Sequence, residues 1–265
     1  MAPDVGMGDI SMRSYGFRLA VLLLALLPGC YSVSPASDAH PDLSGVWIGP
    51  ATNLETPSPM TAKGQAIFDA SKPLYGPRSV PAAESNDPTN TCDPQGFPRI
   101  LFLRYPLTGM EFIQTGNRML QVFKYGGVFR EIWTDGRSLP ADVGGSNPQS
   151  PDPRWYGYSI GHWSNSTYLS DKTFIVETTG AMETWGDEEG HPHSIGAHIE
   201  ERYRLLDHDS LELIVTVDDP EMFQKPFVAS KQIFKRGKEL GEQLCVPSAA
   251  SQYLELIAKP AAAPK

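Results

Sequence analysis

Long hydrophobic runs are scarce in this chain. The longest, Leu19–Leu27, covers nine residues, whereas a membrane-spanning helix needs about 20. It has the length of a signal-peptide core. Positive charge is in deficit: 22 Lys and Arg stand against 31 Asp and Glu, a net charge of -9. Such a surface repels phosphate backbones, so nucleic acid is not an expected partner. The chain has no glycine-rich phosphate loop, no Gly-x-Ser-x-Gly elbow, no His-Glu-x-x-His and no Cys-x-x-Cys. Their absence disfavours nucleotide-dependent enzymes, serine hydrolases, zinc proteases and thiol oxidoreductases. Gly144-Gly145-Ser146 lies in a loop with no helix pattern after it and is not read as a nucleotide site. No cofactor and no metal are expected.

Arg13 and Arg18 give the leader a positive start, and its apolar run ends in Leu27-Pro28-Gly29-Cys30. A small residue before a Cys, directly after an apolar core, resembles the lipobox of bacterial lipoproteins. The expected organisation is a signal peptide over 1–29, a Ser/Ala/Pro-rich tether over 30–40 from a lipidated Cys30, one β-barrel domain over 41–247, and a tail over 248–265 whose end, from Lys259, reads as disordered. That places the protein in the periplasm or cell envelope, membrane-anchored by lipid. The alternative is ordinary cleavage between Ser34 and Ala39 and a secreted soluble protein. Only three cysteines are present. With Cys30 lipidated, Cys92 and Cys245 remain, and an even count outside the cytoplasm suggests one disulfide rather than two free thiols.

Gly and Pro number 24 each, a density that suits many short strands and turns. Apolar and polar residues alternate over 110–115, 118–125, 128–134, 156–163, 173–179, 198–206, 211–217 and 227–235, and Gly45-Val46-Trp47 adds a first strand. Gly116-Asn117 is a two-residue hairpin signal. Thr61–Lys72 reads as one helix, capped by Thr61 and stopped by Pro73. Short connections favour antiparallel pairing, and closure into a ring hides the sheet edges. The fold expected is all-β: a single antiparallel barrel of about 8–10 strands, with one or two short helices and long loops, wide enough for one small ligand. Which face points inward is left open.

Gly45-x-Trp47 on the first strand resembles the opening strand of lipocalin-like (calycin) barrels, where the resemblance implies a Trp plugging the closed end. Blocks such as Cys92-Asp-Pro-Gln-Gly-Phe-Pro-Arg99, Arg130-Glu-Ile-Trp-Thr-Asp-Gly136 and Asp152-Pro-Arg-Trp-Tyr-Gly-Tyr-Ser159 resemble a family of exported bacterial proteins with no established activity. Arg99 is expected either to grip an anionic group or, by the lipocalin-like comparison, to close the barrel beneath Trp47.

Three groups of residues are candidates for chemistry. His191 and His193, at i and i+2 after Asp187-Glu188-Glu189, can point the same way on an extended segment. Glu111, Glu131 and Glu177 interrupt apolar strands; a buried carboxylate has a raised pKa and can act as acid or base. Against these stand a solvated loop and surface ion pairs. Trp133, Trp155, Tyr156, Tyr158, Trp163 and Trp185 suit an apolar ligand or simply the core. The reading is an exported lipoprotein binding a small, mostly apolar molecule in the barrel, with Glu111, Trp133, Tyr156, Tyr158 and Arg99 as contacts. The alternative is an acid–base enzyme using His191, His193 and Glu177. A third is an envelope-structural barrel packed solid.

Overall fold

A computed structural model describes residues 40–49, 54–104, 106–166, 168 and 171–262. The leader, Cys30 and most of the tether lie outside the described residues. Nine strands close into a barrel in chain order: β1 (Gly45–Ile48), β2 (Met110–Gln114), β3 (Arg118–Phe123), β4 (Phe129–Trp133), β5 (Tyr158–Trp163), β6 (Phe174–Thr179), β7 (His198–Asp207), β8 (Ser210–Asp218) and β9 (Phe227–Arg236). Each falls within a residue or two of an alternating segment in the sequence. The helix α1 (Ala62–Ala70) forms where expected, with the Thr61 hydroxyl accepting from Gly64 N.

Eight of the nine pairings are antiparallel, and β4 with β5 is parallel (Ile132↔Ser159, Trp133↔Ile160). The wholly antiparallel barrel expected from the short connections is corrected on this point. Neighbours that alternate direction cannot close a ring of odd number, so a nine-stranded ring needs a parallel pair. Two parallel strands cannot be joined by a tight turn. The Pro/Gly-rich stretch 134–157 is the chain's return path.

Alternation decides the faces. Met119, Gln121 and Phe123 point inward, as do Phe174, Val176 and Thr178, then Ile199, Glu201 and Tyr203, and Leu211 to Val217 at every second position. The opposite faces carry charge, including Glu200, Arg202, Arg204 and Glu212 in surface ion pairs.

Both barrel ends are closed. At the end where β1 begins and β9 finishes, Trp47 is fully buried, its indole N–H donates to Leu43 O at 2.8 Å, and the Arg236 guanidinium stacks 4.2 Å from its ring centroid. The residue closing the barrel over Trp47 is therefore Arg236, not Arg99. At the other end the segment 97–103, with a 3-10 turn over Arg99–Phe102, enters the barrel and buries Phe97, Ile100, Leu101, Phe102 and Leu103 in one cluster with the strand side chains. Gln232 Nε2 holds the plug by donating to Leu101 O at 3.0 Å.

The plug is tethered twice. Arg99 and Asp87 form a two-pronged ion pair (2.9 and 2.7 Å), with Arg99 only 2% exposed. Burial works to raise the Asp87 pKa, but the hydrogen bonds and charge of Arg99 outweigh it and hold the carboxyl below its usual range. Arg99 thus grips the chain's own anion. Upstream, Cys92 is bonded to Cys245, with Cα atoms 5.5 Å apart across a sequence separation of 153 residues. Beyond it the chain is helical from α2 (Pro247–Tyr253) through Ala262. Alanine favours helix, and Pro247 sits at the first turn, where its missing N–H costs nothing. Over Lys259–Ala262 the helix replaces the disorder expected from Lys259 onward; 263–265 lie outside the described residues.

Closing so long a loop stabilises by about 4–5 kcal/mol in the chain-entropy picture. The double variant Cys92→Ser/Cys245→Ser is expected to lose roughly that amount in urea unfolding at an unchanged far-UV spectrum; a loss under about 1 kcal/mol would show that the bridge constrains little of the unfolded chain.

Candidate functional site

The inward faces of β3 to β7 bring six polar side chains together in the apolar core. Arg130 pairs with Glu201, its Nε donates to Gln121 Oε1 at 2.7 Å, and a terminal nitrogen donates to Ser159 Oγ and Thr178 Oγ1, both at 3.2 Å. The Tyr203 hydroxyl donates to Glu201 Oε2 at 2.6 Å and accepts from Gln121 Nε2 at 3.0 Å. The Phe97 ring covers the guanidinium at 4.3 Å. All six are at most 4% exposed. Burial, and then the Glu201 charge, push the Tyr203 pKa well up, so the phenol stays a donor. Glu201 Oε1 has no hydrogen-bond partner among the described residues.

Above this network lies a cleft of about 620 Å³ on the barrel's outside, at the β4–β5 seam and under the return path 134–157. Its lining includes Trp133, Trp155, Tyr156 and Tyr158 with Glu131, Arg137 and Arg154, and it reaches Arg130 and Ser159 of the buried network. The parallel pairing spans only two residues on each strand, so the seam parts on either side of it. Gly157 allows the chain to enter β5: its φ is +65°, and any Cβ there would come 2.7 Å from Thr179 O. Arginines stack on the aromatic walls, Arg137 at 3.6 Å from the Trp133 centroid and Arg154 at 4.1 Å from that of Tyr158. Arg118 pairs with Glu131, and Arg137 with Asp135. The Tyr158 hydroxyl donates to Asp152 O at 2.8 Å, fixing that ring to the loop. Burial pushes the Tyr156 pKa up to about 12.

Three of the five expected contact residues, Trp133, Tyr156 and Tyr158, meet in this cleft. Glu111 does not: it is half-buried on the outer face of β2. Arg99 sits in the plug. The three residues expected to share acid–base work are not brought together. Glu177 is on the outer face of β6 and faces His198 at 3.4 Å. His191 and His193 lie in the loop between β6 and β7, where both line a small chamber near the start of β9. His191 Nδ1 is 2.6 Å from Asp187 Oδ2, and its ring stacks on Phe68 at 4.5 Å between centroids. His193 is 3% exposed, with Nδ1 at 3.2 Å from Ser194 O. Burial lowers its pKa, so the ring stays neutral. Among the described residues no group of three His, Cys, Asp or Glu side chains can hold a metal ion.

Glu201 and Asp87 are not among the site residues expected from the sequence. Glu201 shares the parity of Ile199 and Tyr203, and that was the available signal. The cleft also includes Arg137 and Arg154, which sit in loop sequence with no pattern to mark them.

No family model, no curated protein and no solved structure matches the chain.

Removing one member of a buried ion pair strands the other and costs about 3–5 kcal/mol. Arg130→Met and Glu201→Gln are each expected to lose that much in urea unfolding, and Arg130→Met/Glu201→Gln markedly less than the sum. Additive losses would mean that the two charges are not coupled.

Proposed function

We propose that the chain is an exported, lipid-anchored barrel protein that binds a small, mostly apolar molecule, and that the ligand occupies the cleft at the parallel seam rather than the barrel axis. The observation that carries this reading is the cleft's four aromatic walls, Trp133, Trp155, Tyr156 and Tyr158, around about 620 Å³. That volume falls within the roughly 300–1,000 Å³ of ordinary small-molecule sites. The axis is a poor alternative, because strand side chains and the plug fill it. The aromatic faces supply apolar area, and the arginines stacked on them favour a flat, electron-rich body.

A neutral apolar dye, N-phenyl-1-naphthylamine, is expected to bind saturably and to be displaced by unlabelled apolar competitors. Trp133→Ala should weaken binding about tenfold, a change of about 1.4 kcal/mol. Non-saturable fluorescence, or equal affinity in the variant, would remove the cleft from consideration.

Export is supported by the apolar run before Leu27-Pro28-Gly29-Cys30 and by a disulfide, which persists in oxidising compartments. When the full chain is expressed in bacteria fed labelled palmitate, the label should enter the protein and the protein should sediment with membranes. Cys30→Ser should abolish both. An unlabelled, soluble wild type would reject the anchor.

A further inference from the structure

In a chain of net charge -9, the seam cleft is a place of positive excess. Its lining carries three arginines, Arg130, Arg137 and Arg154, against one carboxylate, Glu131. Three of these four charges are already met by groups outside the lining. Arg130 pairs with Glu201 in the core, Arg137 with Asp135 in its own turn, and Glu131 with Arg118 on β3. Arg154 is the exception. Among the described residues it has no carboxylate partner, and its guanidinium makes no hydrogen bond. The cleft therefore keeps one positive charge over, and Arg154 carries it.

That charge is held in place. The Arg154 backbone is pinned from both sides: its N–H donates to Gly180 O at 3.0 Å, and its carbonyl accepts from Met182 N at 2.8 Å and from Gly157 N at 3.1 Å. The guanidinium lies 4.1 Å from the Tyr158 ring centroid, and Tyr158 is itself fixed by its hydroxyl to Asp152 O. Stacking occupies a face of the guanidinium. The N–H donors lie in its plane and stay free at the edge, in a fork that fits the two oxygens of a carboxylate.

We propose that the ligand of this cleft is a flat aromatic monocarboxylate, with its rings against Trp133, Trp155 and Tyr158 and its carboxylate on the Arg154 guanidinium. This rests on the reading that the cleft binds a mostly apolar molecule, and it adds the single charge which that molecule carries. One unmatched cation sets the number. A second negative group would come beside Glu131 with no cation left to meet it. A cationic ligand would face Arg154 and find Glu131 already engaged by Arg118.

2-Naphthoate and 2-naphthamide are close in shape and differ in charge, so they are the probes, each titrated into the full chain by calorimetry beside the neutral dye N-phenyl-1-naphthylamine. At low ionic strength naphthoate should bind about tenfold more tightly than the amide, and added salt should narrow the difference. Arg154→Gln should bring naphthoate down to the affinity of the amide and leave the amide and the dye unchanged. Arg154 is exposed, so this variant is expected to fold as the wild type does. Trp133→Ala should weaken both naphthalenes alike and preserve their ratio. If the dye binds but naphthoate and naphthamide bind equally, the carboxylate is overturned and the apolar cleft stands. A preference for naphthoate that survives Arg154→Gln overturns the assignment to Arg154. If neither the dye nor either naphthalene binds saturably, the cleft reading itself falls, and this inference with it.

Discussion

A ring of nine strands cannot alternate direction all the way round, and the architecture of this protein follows from that parity. One neighbouring pair must run the same way, and here it is β4 and β5. From that single mismatch come the return path 134–157, the parting of the sheet beside the short pairing, and the aromatic cleft in the opening. Eight or ten strands would leave no such obligation. The surface pocket is a consequence of strand number as much as of the side chains that line it.

Filling the axis has the complementary effect. The β1 end is sealed by Trp47 under Arg236, the opposite end by the 97–103 plug, and the middle by the ion pair of Arg130 with Glu201. A charged pair in an apolar core gives little net stability, because desolvation offsets most of the attraction, yet losing either member is costly. Its members come from β4 and β7, with Gln121, Ser159, Thr178 and Tyr203 on β3, β5, β6 and β7, so the network ties five successive strands together at one level of the barrel.

The strands were legible because period-two alternation is written into consecutive residues. Leu211, Leu213, Val215 and Val217 announce a buried face without any structure. Inward direction was not legible, since it depends on which face the rest of the ring completes. Glu201 shows the difficulty: counted among the charges around it, Glu200 and Arg202, it looks like surface, and only its parity with Ile199 and Tyr203 places it inside. Glu177 misled in the opposite way, because apolar neighbours such as Val176 face the other side of the strand. The charge of Arg99 predicts an anionic partner, but that partner, Asp87, lies in a loop whose path no local pattern dictates. Of the ligand contacts, the aromatic residues on or next to β4 and β5 could be found; the arginines stacked on them belong to a loop positioned by tertiary contacts alone.

The ring has two thin joints, since β1 meets β9 over only two residue pairs, as β4 meets β5. They divide the wall into two staves, β1–β4 and β5–β9, each bound internally by full antiparallel ladders. Cys92 belongs to the stretch between β1 and β2, and Cys245 follows β9, so a covalent clasp also ties the second stave's chain to the first. At the other joint, Arg130 of β4 donates to Ser159 of β5 at 3.2 Å, and the return path 134–157 connects the two strands. The joint that carries the aromatic cleft is thus fastened from within, by buried side chains rather than by a long ladder, and the cleft opens over its outer face.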